Sequence, residues 1–469
     1  MKLKYIYSFI LLITLSYFAA HLSSCKKDLL MSNETLEFSL DTVVFDTVFT
    51  TVGSSTHLFK VYNRSSQPVN VSNIYLEGGS SSPFRFNLDG LSGIQFSDVQ
   101  IPGNDSLFAF VEVTLGENNQ LNPLIIEDKI HFLTNGVEQE VQLVAWGQDA
   151  YFHYRDTNYG LWDNDKPHVI YDYALVDSAK TLEIEAGTRI HLHKNSLLYV
   201  YKGALNINGN ENEKVIFEGD RLEPFYEDVK GQYYGIYFAE ALPSTINHTI
   251  IKNGTAGVHV FSENQNNTNY TVTLTNTEIF NCSSYGIFNY SGGRIKGENL
   301  IVHNNAQYAY FLLEGGDYDF RHCQFLGYGT GENLPAVAIK NYFTRNDETT
   351  YIGAVNEGNF YNSIIDGSGS NQLVYDTITQ NGSVTMNYDF RNNAIKNETS
   401  QSGQSGFNNN LWNTNPQFES TEDMIFKIKL NSPLRNTGND AFINTPNLTN
   451  DIEGINLTEI KRNFVMQHI

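Results

Sequence analysis

From about residue 247 onward one phrase keeps returning in this chain: a short apolar strand closed by Asn or Gly. It reads NHTIIKNGTAGVHV, then TNTEIFNCSSYGIFNY, GENLIVHNNAQYAYFL and YNSIIDGSGS. Alignment puts Ile251, Ile279, Ile301, Phe325 and Ile365 in one column, while Val258 and Ile287, each preceded by a glycine, begin another. The spacing from Ile279 to Ile301 to Phe325 is about 22 to 24 residues, the length of a solenoid repeat. No single repeat buries its apolar face alone, so like residues must stack above like. The pattern predicts a right-handed coil laying down three short parallel strands per turn, with Ile and Val filling the bore. Asn253 and Asn281 are placed to cap its turns through neighbouring backbone groups. Upstream, TLEIEAGTRIHLHKNSLLYVYKGALNINGNENEKVIFEGD continues the series of short strands and tight Gly/Asn turns. Roughly 275 residues predict about eleven or twelve turns, a rod on the order of 55 Å.

A second kind of text precedes it. From 36 to 152, alternating strands such as FSLDTVVFDTVFT, THLFKVYN, SLFAFVEVTL and EVQLVAWG are separated by the turn signals NRSSQP, EGGSSSP and PGND. That rhythm predicts an all-β sandwich. The composition agrees, with 28 Tyr, 30 Phe and 36 Gly: aromatic residues fill pleated surfaces and Gly makes the turns. The expected division is therefore a sandwich over 36–152 and a solenoid with its C-terminal cap over 153–469.

The first residues carry a different message. Lys2 and Lys4 precede the apolar run YIYSFILLITLSYFAA, which ends at Leu22-Ser23-Ser24-Cys25. Basic, apolar, then small residues is the order of a secretory signal. The run is about sixteen residues, short for a bilayer span of roughly twenty. Leu22-Ser23-Ser24-Cys25 resembles a bacterial lipobox, which implies cleavage over 1–24, acylation of Cys25 and a tether over 25–35. Several acyl chains hold a protein to a bilayer far more firmly than one. After Cys25 no apolar run is long enough to span a membrane, so the remainder is expected in water. Lys26, Lys27 and Asp28 leave open whether the chain faces the cell surface or the periplasm.

Four phrases carry a wider likeness: WDNDKPHVIYDYALVDSAKTLEIEAGTRI, SLLYVYKGALNINGN, YYGIYFAEALPSTINHTIIKNGTAGV, and the tail NPQF, FKIKLNSPLRNTGND and NDIEG. They resemble the pectin-lyase-like right-handed parallel β-helices, and more narrowly the β-helix lipoproteins of Bacteroidota. The 36–152 segment resembles the immunoglobulin-like modules that precede larger domains in exported bacterial proteins. The likeness implies an outer-membrane, lipid-anchored protein whose tail seals the open end of the coil.

Chemistry is less legible. Arg294-Ile295-Lys296 is the tripeptide of polygalacturonase-like hydrolases and Asn276-Thr277-Glu278 echoes their Asn-Thr-Asp, but the elements between are missing and the match is read as chance. Arg189, His191 and His193 alternate on one strand opposite Ile190 and Leu192 and read as a solvated face. Asp163 and Asp165 are weak candidates for a calcium loop, short of the full pattern; no other metal or cofactor is implied. Tyr199, Tyr201, Tyr233, Tyr234 and Tyr237, with Tyr308 and Tyr310 further on, suit a glycan, because a flat ring stacks on a pyranose. Asp followed by Ser or Thr and a small or apolar residue resembles an O-glycosylation sequence at Thr42, Thr47 and Ser106, and again at Ser178 and Thr377. Cys282 and Cys323 fall in different columns and read as buried thiols.

The formal net charge of −22 argues against nucleic acid, whose phosphates need a basic surface. With no complete catalytic set, the first reading is a membrane-tethered module that binds a glycan or an envelope protein, or serves as structure. The alternative is a polysaccharide lyase or glycoside hydrolase, which calls for a cleft with Lys or Arg beside two or more carboxylates on adjacent turns.

Overall fold

The computed structural model describes residues 31–117, 124–263, 268–329 and 334–442. Cys25 and the NDIEG phrase lie outside them. Two compact units part between Gln148 and Asp149. The expected boundary at 152 moves because Tyr151–Thr157 is already a solenoid strand, parallel to His168–Val176.

The first unit is a β-sandwich of two five-stranded sheets. One runs in the order Glu37–Phe38, His57–Asn63, Asp105–Val113, Phe84–Leu88 and Leu91–Ser92. The other runs Thr42–Phe49, Val137–Gln148, Leu124–Thr134, Val69–Leu76 and Gln95–Ile101. Alternation along each strand sends one set of side chains inward. Phe59, Phe84 and Val111 of the first sheet thus share a core with Ile74, Phe132 and Leu143 of the second.

The second unit is a parallel β-helix with three faces. On the first face, Ala174, Leu198, Ile236, Val258, Ile287, Tyr310, Val337 and Leu373 follow one another in register. On the second, the inward column runs from Trp162 through Ile184, Ile207, Ile246, Leu274, Gly297 and Phe320 to Phe360, Phe390 and Phe407. On the third, Ile251, Ile279, Val302, Phe325, Ile365 and Ile395 are stacked. The Val258–Ile287 column therefore forms as expected. The other slips by one residue, and Val302, not Ile301, faces the bore. Because side chains alternate with period 2, that slip sends Ile301 outward.

Among the described residues nine strands follow each other on the first face, from Tyr151–Thr157 to Leu373–Asp376, and ten on the second, fewer than the expected eleven or twelve turns. The difference lies in the connections: turns such as Trp162 to Ile184 to Ile207 and Leu274 to Gly297 to Phe320 keep the short repeat, while segments such as 220–234 and 341–357 lengthen others.

Corners are set by single residues with positive φ. His248, Asn276, Asn299, His322, Asn362, Asn392 and Asn409 turn the chain from the second face to the third. Asn253, Asn281 and Asn304 turn it away from the third. Asparagine tolerates this left-handed backbone, and its amide bonds to the turn above. Asn281 Nδ2 donates to Asn253 Oδ1 (2.6 Å) and Asn304 Nδ2 to Asn281 Oδ1 (3.1 Å). Gly235 has φ +143°, and a Cβ there would collide with the Ala256 carbonyl oxygen.

The tail does not lie where the resemblance implied. Its hairpin, Phe418–Ser420 with Ile425–Ile428, packs Phe418, Phe426 and Ile428 with Leu434 against Leu326, Ile364 and Ala394. Those three side chains point outward from the third face, so the segment covers a flank of the coil. Apolar outward residues on that face explain the choice: covering them removes them from water.

Candidate functional site: an aromatic ladder and a lateral groove

The first face presents outward, in register, Tyr199, Tyr237, His259, Phe288 and Phe311. Their rings form a column. Tyr199 and Tyr237 stack at 5.3 Å and 10°, Tyr237 and His259 at 4.4 Å and 22°, His259 and Phe288 at 4.7 Å and 28°, and Phe288 and Phe311 at 5.5 Å and 9°. Beside them Phe261 lies over Tyr290, and Tyr285 over Tyr308. A parallel strand spacing of about 4.8 Å makes this possible: identical outward positions on successive turns bring rings to offset-stacking distance.

The expected glycan-stacking tyrosines divide. Tyr199, Tyr201, Tyr234 and Tyr237 are half-buried on this face. Tyr233 is not: it is 1% exposed, with its hydroxyl donating to the carbonyls of Phe217 and Lys252. Tyr310 likewise stands in the bore beside Phe320, while Tyr308 stays outside. The glycine at 235 breaks the alternation that would group Tyr233 with Tyr237, and in Tyr308–Leu313 the consecutive buried residues Ala309 and Tyr310 break it again. Buried His259 and half-buried Phe288 and Phe311 join the column unforeseen; the apolar-preceded columns held the signal, one position after Val258, Ile287 and Tyr310.

Stacking has a chemical consequence. Rings inside the column cover each other's faces, so the surface offers ring edges and tyrosine hydroxyls more than open planes. The column is also uncharged. Tyr234 Oη lies 2.6 Å from His259 Nδ1, and burial holds the His259 imidazole down to about 4.

The third face carries a groove of about 650 Å³ lined by Asp228, Lys230, Glu278, Phe280, His303, Asn304 and the hairpin tip Glu422–Ile425. His303 Nε2 lies 2.9 Å from Glu278 Oε1, and its ring stacks on Phe280 at 5.0 Å and 8°. Lys230 Nζ donates to Asn304 Oδ1 (3.1 Å) and the Gly329 carbonyl (3.5 Å).

Charge gathers on the second face. Lys296 pairs with Glu298, and Arg321 with Asp319, each at 2.8 Å. Lys296 stands over Asp319 and Glu298 over Arg321 on adjacent turns, so opposite signs alternate in both directions. Both carboxylates are buried. Arg294 pairs with Asp317 (2.9 Å) and Glu357 (2.8 Å), tying in the segment that follows the hairpin Tyr342–Thr344 and Thr350–Ile352. The Arg-Ile-Lys tripeptide thus sits in a self-compensating ionic block, and Asn276 of the echoed motif is a corner residue.

The remaining candidates fall elsewhere. Arg189 is exposed and His193 meets Asp220 at 2.7 Å, but His191 is buried against the Gly219 carbonyl, correcting the expected solvated face. Asp163 and Asp165 interact with each other, which raises the first carboxyl and lowers the second; the Tyr151 hydroxyl donates to Asp165. Calcium takes six to eight oxygens, and the Asp163 carbonyl is turned to His168 Nε2 (3.1 Å). Two carboxylates leave this loop short of a calcium shell. Among the described residues no group of three or more His, Cys, Asp or Glu is placed to hold a metal ion. Thr42, Thr47 and Ser106 are half-buried within strands, whereas Ser178 is exposed on a turn. Cys282 and Cys323 are separate buried thiols, both pushed up by burial.

No protein-family model and no curated protein matches the chain. Solved structures give distant likenesses. A family 123 glycoside hydrolase from Clostridium perfringens is 12% identical over 26% of this chain, TM-score 0.18, and the E. coli chaperone DraB is 15% identical over 24%, TM-score 0.17. This chain spans 31% and 54% of their respective lengths. The catalytic unit of a GH87 alpha-1,3-glucanase from Streptomyces thermodiastaticus is 9% identical over 75% of this chain and 72% of that one, TM-score 0.24. Similarities this low carry no function across. The parallel β-helix rests on the strand ladder itself.

Proposed function

We propose that this chain is an envelope lipoprotein, tethered to the outer membrane through acylated Cys25, whose β-helix binds a glycan on its aromatic first face without transforming it. In this reading the sandwich is an immunoglobulin-like spacer that carries O-linked sugars at Thr42, Thr47 and Ser106, with Ser178 as an exposed further site. The observation that supports binding is the outward column from Tyr199 to Phe311, a run of aromatic side chains kept at a solvent-facing surface where burial in the bore is not their role. Ring edges and hydroxyls suit a chain lying across the turns. Titration of the full-length protein with neutral oligosaccharides, followed by tyrosine fluorescence, tests it. Binding that weakens in Tyr237→Ala supports the reading; a flat response across gluco-, manno- and xylo-oligosaccharides refutes it and favours a structural role.

A second reading, a polysaccharide lyase or glycoside hydrolase, is favoured by the block of Lys296, Glu298, Asp319 and Arg321 on adjacent turns. Release of reducing ends or unsaturated products from a polysaccharide panel, lost in Asp319→Asn, would establish it.

A further inference from the structure

We propose that the groove on the third face is a second site, one that takes a glycan bearing an isolated carboxylate, with the Lys230 ammonium as its counter-ion. It shares with the reading above only the class of ligand, since groove and ladder belong to different faces of the coil.

Among the described residues the Lys230 ammonium meets no counter-charge. Lys230 is half-buried, and its two hydrogen-bond acceptors, Asn304 Oδ1 and the Gly329 carbonyl, are both neutral. Among the described residues it makes no ion pair, although Asp228, Glu278, Glu422 and Asp423 line the same groove. Burial lowers its affinity for the proton, and no carboxylate offsets that effect. Taking a charge partly out of water is costly unless an opposite charge meets it. Here the fold has the opposite charges close at hand and spends them otherwise.

Glu278 lies against His303 Nε2 at 2.9 Å, and Asp423 accepts from the Ser420 hydroxyl. Asn304 is itself held from behind, donating to Asn281 Oδ1 in the asparagine ladder, which fixes its Oδ1 towards Lys230. The ammonium is therefore positioned by the coil and left for something that enters from outside. Phe280 and His303, stacked parallel, give the groove an apolar wall against which a sugar ring can lie. A volume of about 650 Å³ falls in the range of small-ligand sites.

The rim restricts the ligand further. Asp228, Glu422 and Asp423 are exposed at its edge. They repel a polyanionic chain and tolerate one acidic group carried on an otherwise neutral sugar. A sulfate or a carboxylate on that sugar presents the same charge, and the choice of probes separates them.

The test is isothermal titration of the full-length protein with four probes: a xylo-oligosaccharide ended by glucuronic acid, the same molecule with its carboxyl reduced to an alcohol, a sulfated analogue of that reduced molecule, and polygalacturonate. The acidic probe is expected to bind at least about tenfold more tightly than its reduced form, as a charge-assisted hydrogen bond allows. In Lys230→Met that preference should vanish while the melting temperature stays near that of the parent; Lys230→Arg should keep it. Polygalacturonate should bind no better than the reduced probe. Equal binding of the acidic and reduced probes, or a preference that survives Lys230→Met, overturns the proposal. A sulfated analogue that outbinds the uronate overturns the choice of carboxylate. Tyr237→Ala reports on the ladder separately: loss of neutral-glycan binding there with the acid preference intact would keep this site while locating the other.

Discussion

Tyr237 lies on Tyr199 one turn away, with ring centroids 5.3 Å apart and planes 10° from parallel. The pair is a direct product of the coil. Register places position 237 over position 199, and the strand spacing then leaves two outward rings little alternative to stacking. The same relationship repeats to Phe311, so the column contributes to stability as well as offering a surface.

These two roles can be separated. Phe288→Ala removes the ring that His259 and Phe311 both stack on, and should cost about 2–3 kcal/mol. Tyr237→Phe keeps the stack and removes only a hydroxyl, so it should melt like the parent. Thermal unfolding by circular dichroism checks both. If Tyr237→Phe also loses glycan affinity, hydroxyls carry the recognition; if it binds normally, ring edges do.

Acid should weaken the fold through three buried imidazoles. His168, His259 and His322 are each held down to about 4, chiefly by burial, with His153 adding to the effect at His168 and Arg321 at His322. In the unfolded chain they titrate near 6.5. Between these values the unfolded state binds more protons, so stability falls as pH drops from about 6.5 to 4 and this contribution levels off below. Each site contributes on the order of 3 kcal/mol at full effect. Urea midpoints at neutral pH and near pH 4 measure the loss, and His259→Gln should reduce the slope.

Asn281 stands at the centre of a corner ladder, with φ +60°, its amide donating to Asn253 and accepting from Asn304. Asn281→Ala should cost about 3 kcal/mol, from the lost bonds and from a Cβ residue in left-handed backbone. Asn281→Gly relieves the second part alone and should recover about 1 kcal/mol of it. The difference between their denaturation midpoints reads that conformational term.

Cys25→Ser should release the protein from the membrane pellet into the soluble fraction. Fractionation with an antibody against the sandwich measures it, and continued pelleting would remove the lipid anchor from the proposal. Protease shaving of intact cells, applied to the parent, then decides which membrane face carries the chain.

The sequence by itself determined the all-β class and the stacked coil, because a column such as Val258 over Ile287 needs only a repeat that brings like residues to the same place. It also carried Asn281 as a corner, since few residues accept that backbone. What it left undecided was register to one residue, which is why Ile301 was expected inward and Val302 is found there. One residue of slip is invisible in a run such as Leu300-Ile301-Val302, where every side chain is apolar and only the hydrogen-bonded ladder chooses. Tertiary structure alone decided three further things. It sent Tyr233 and Tyr310 into the core, laid the tail hairpin on a flank, and gathered Lys230, Glu278 and His303 into one groove from segments far apart in the chain. Such groupings depend on how turns stack and where long connections fold back, and no local pattern encodes either.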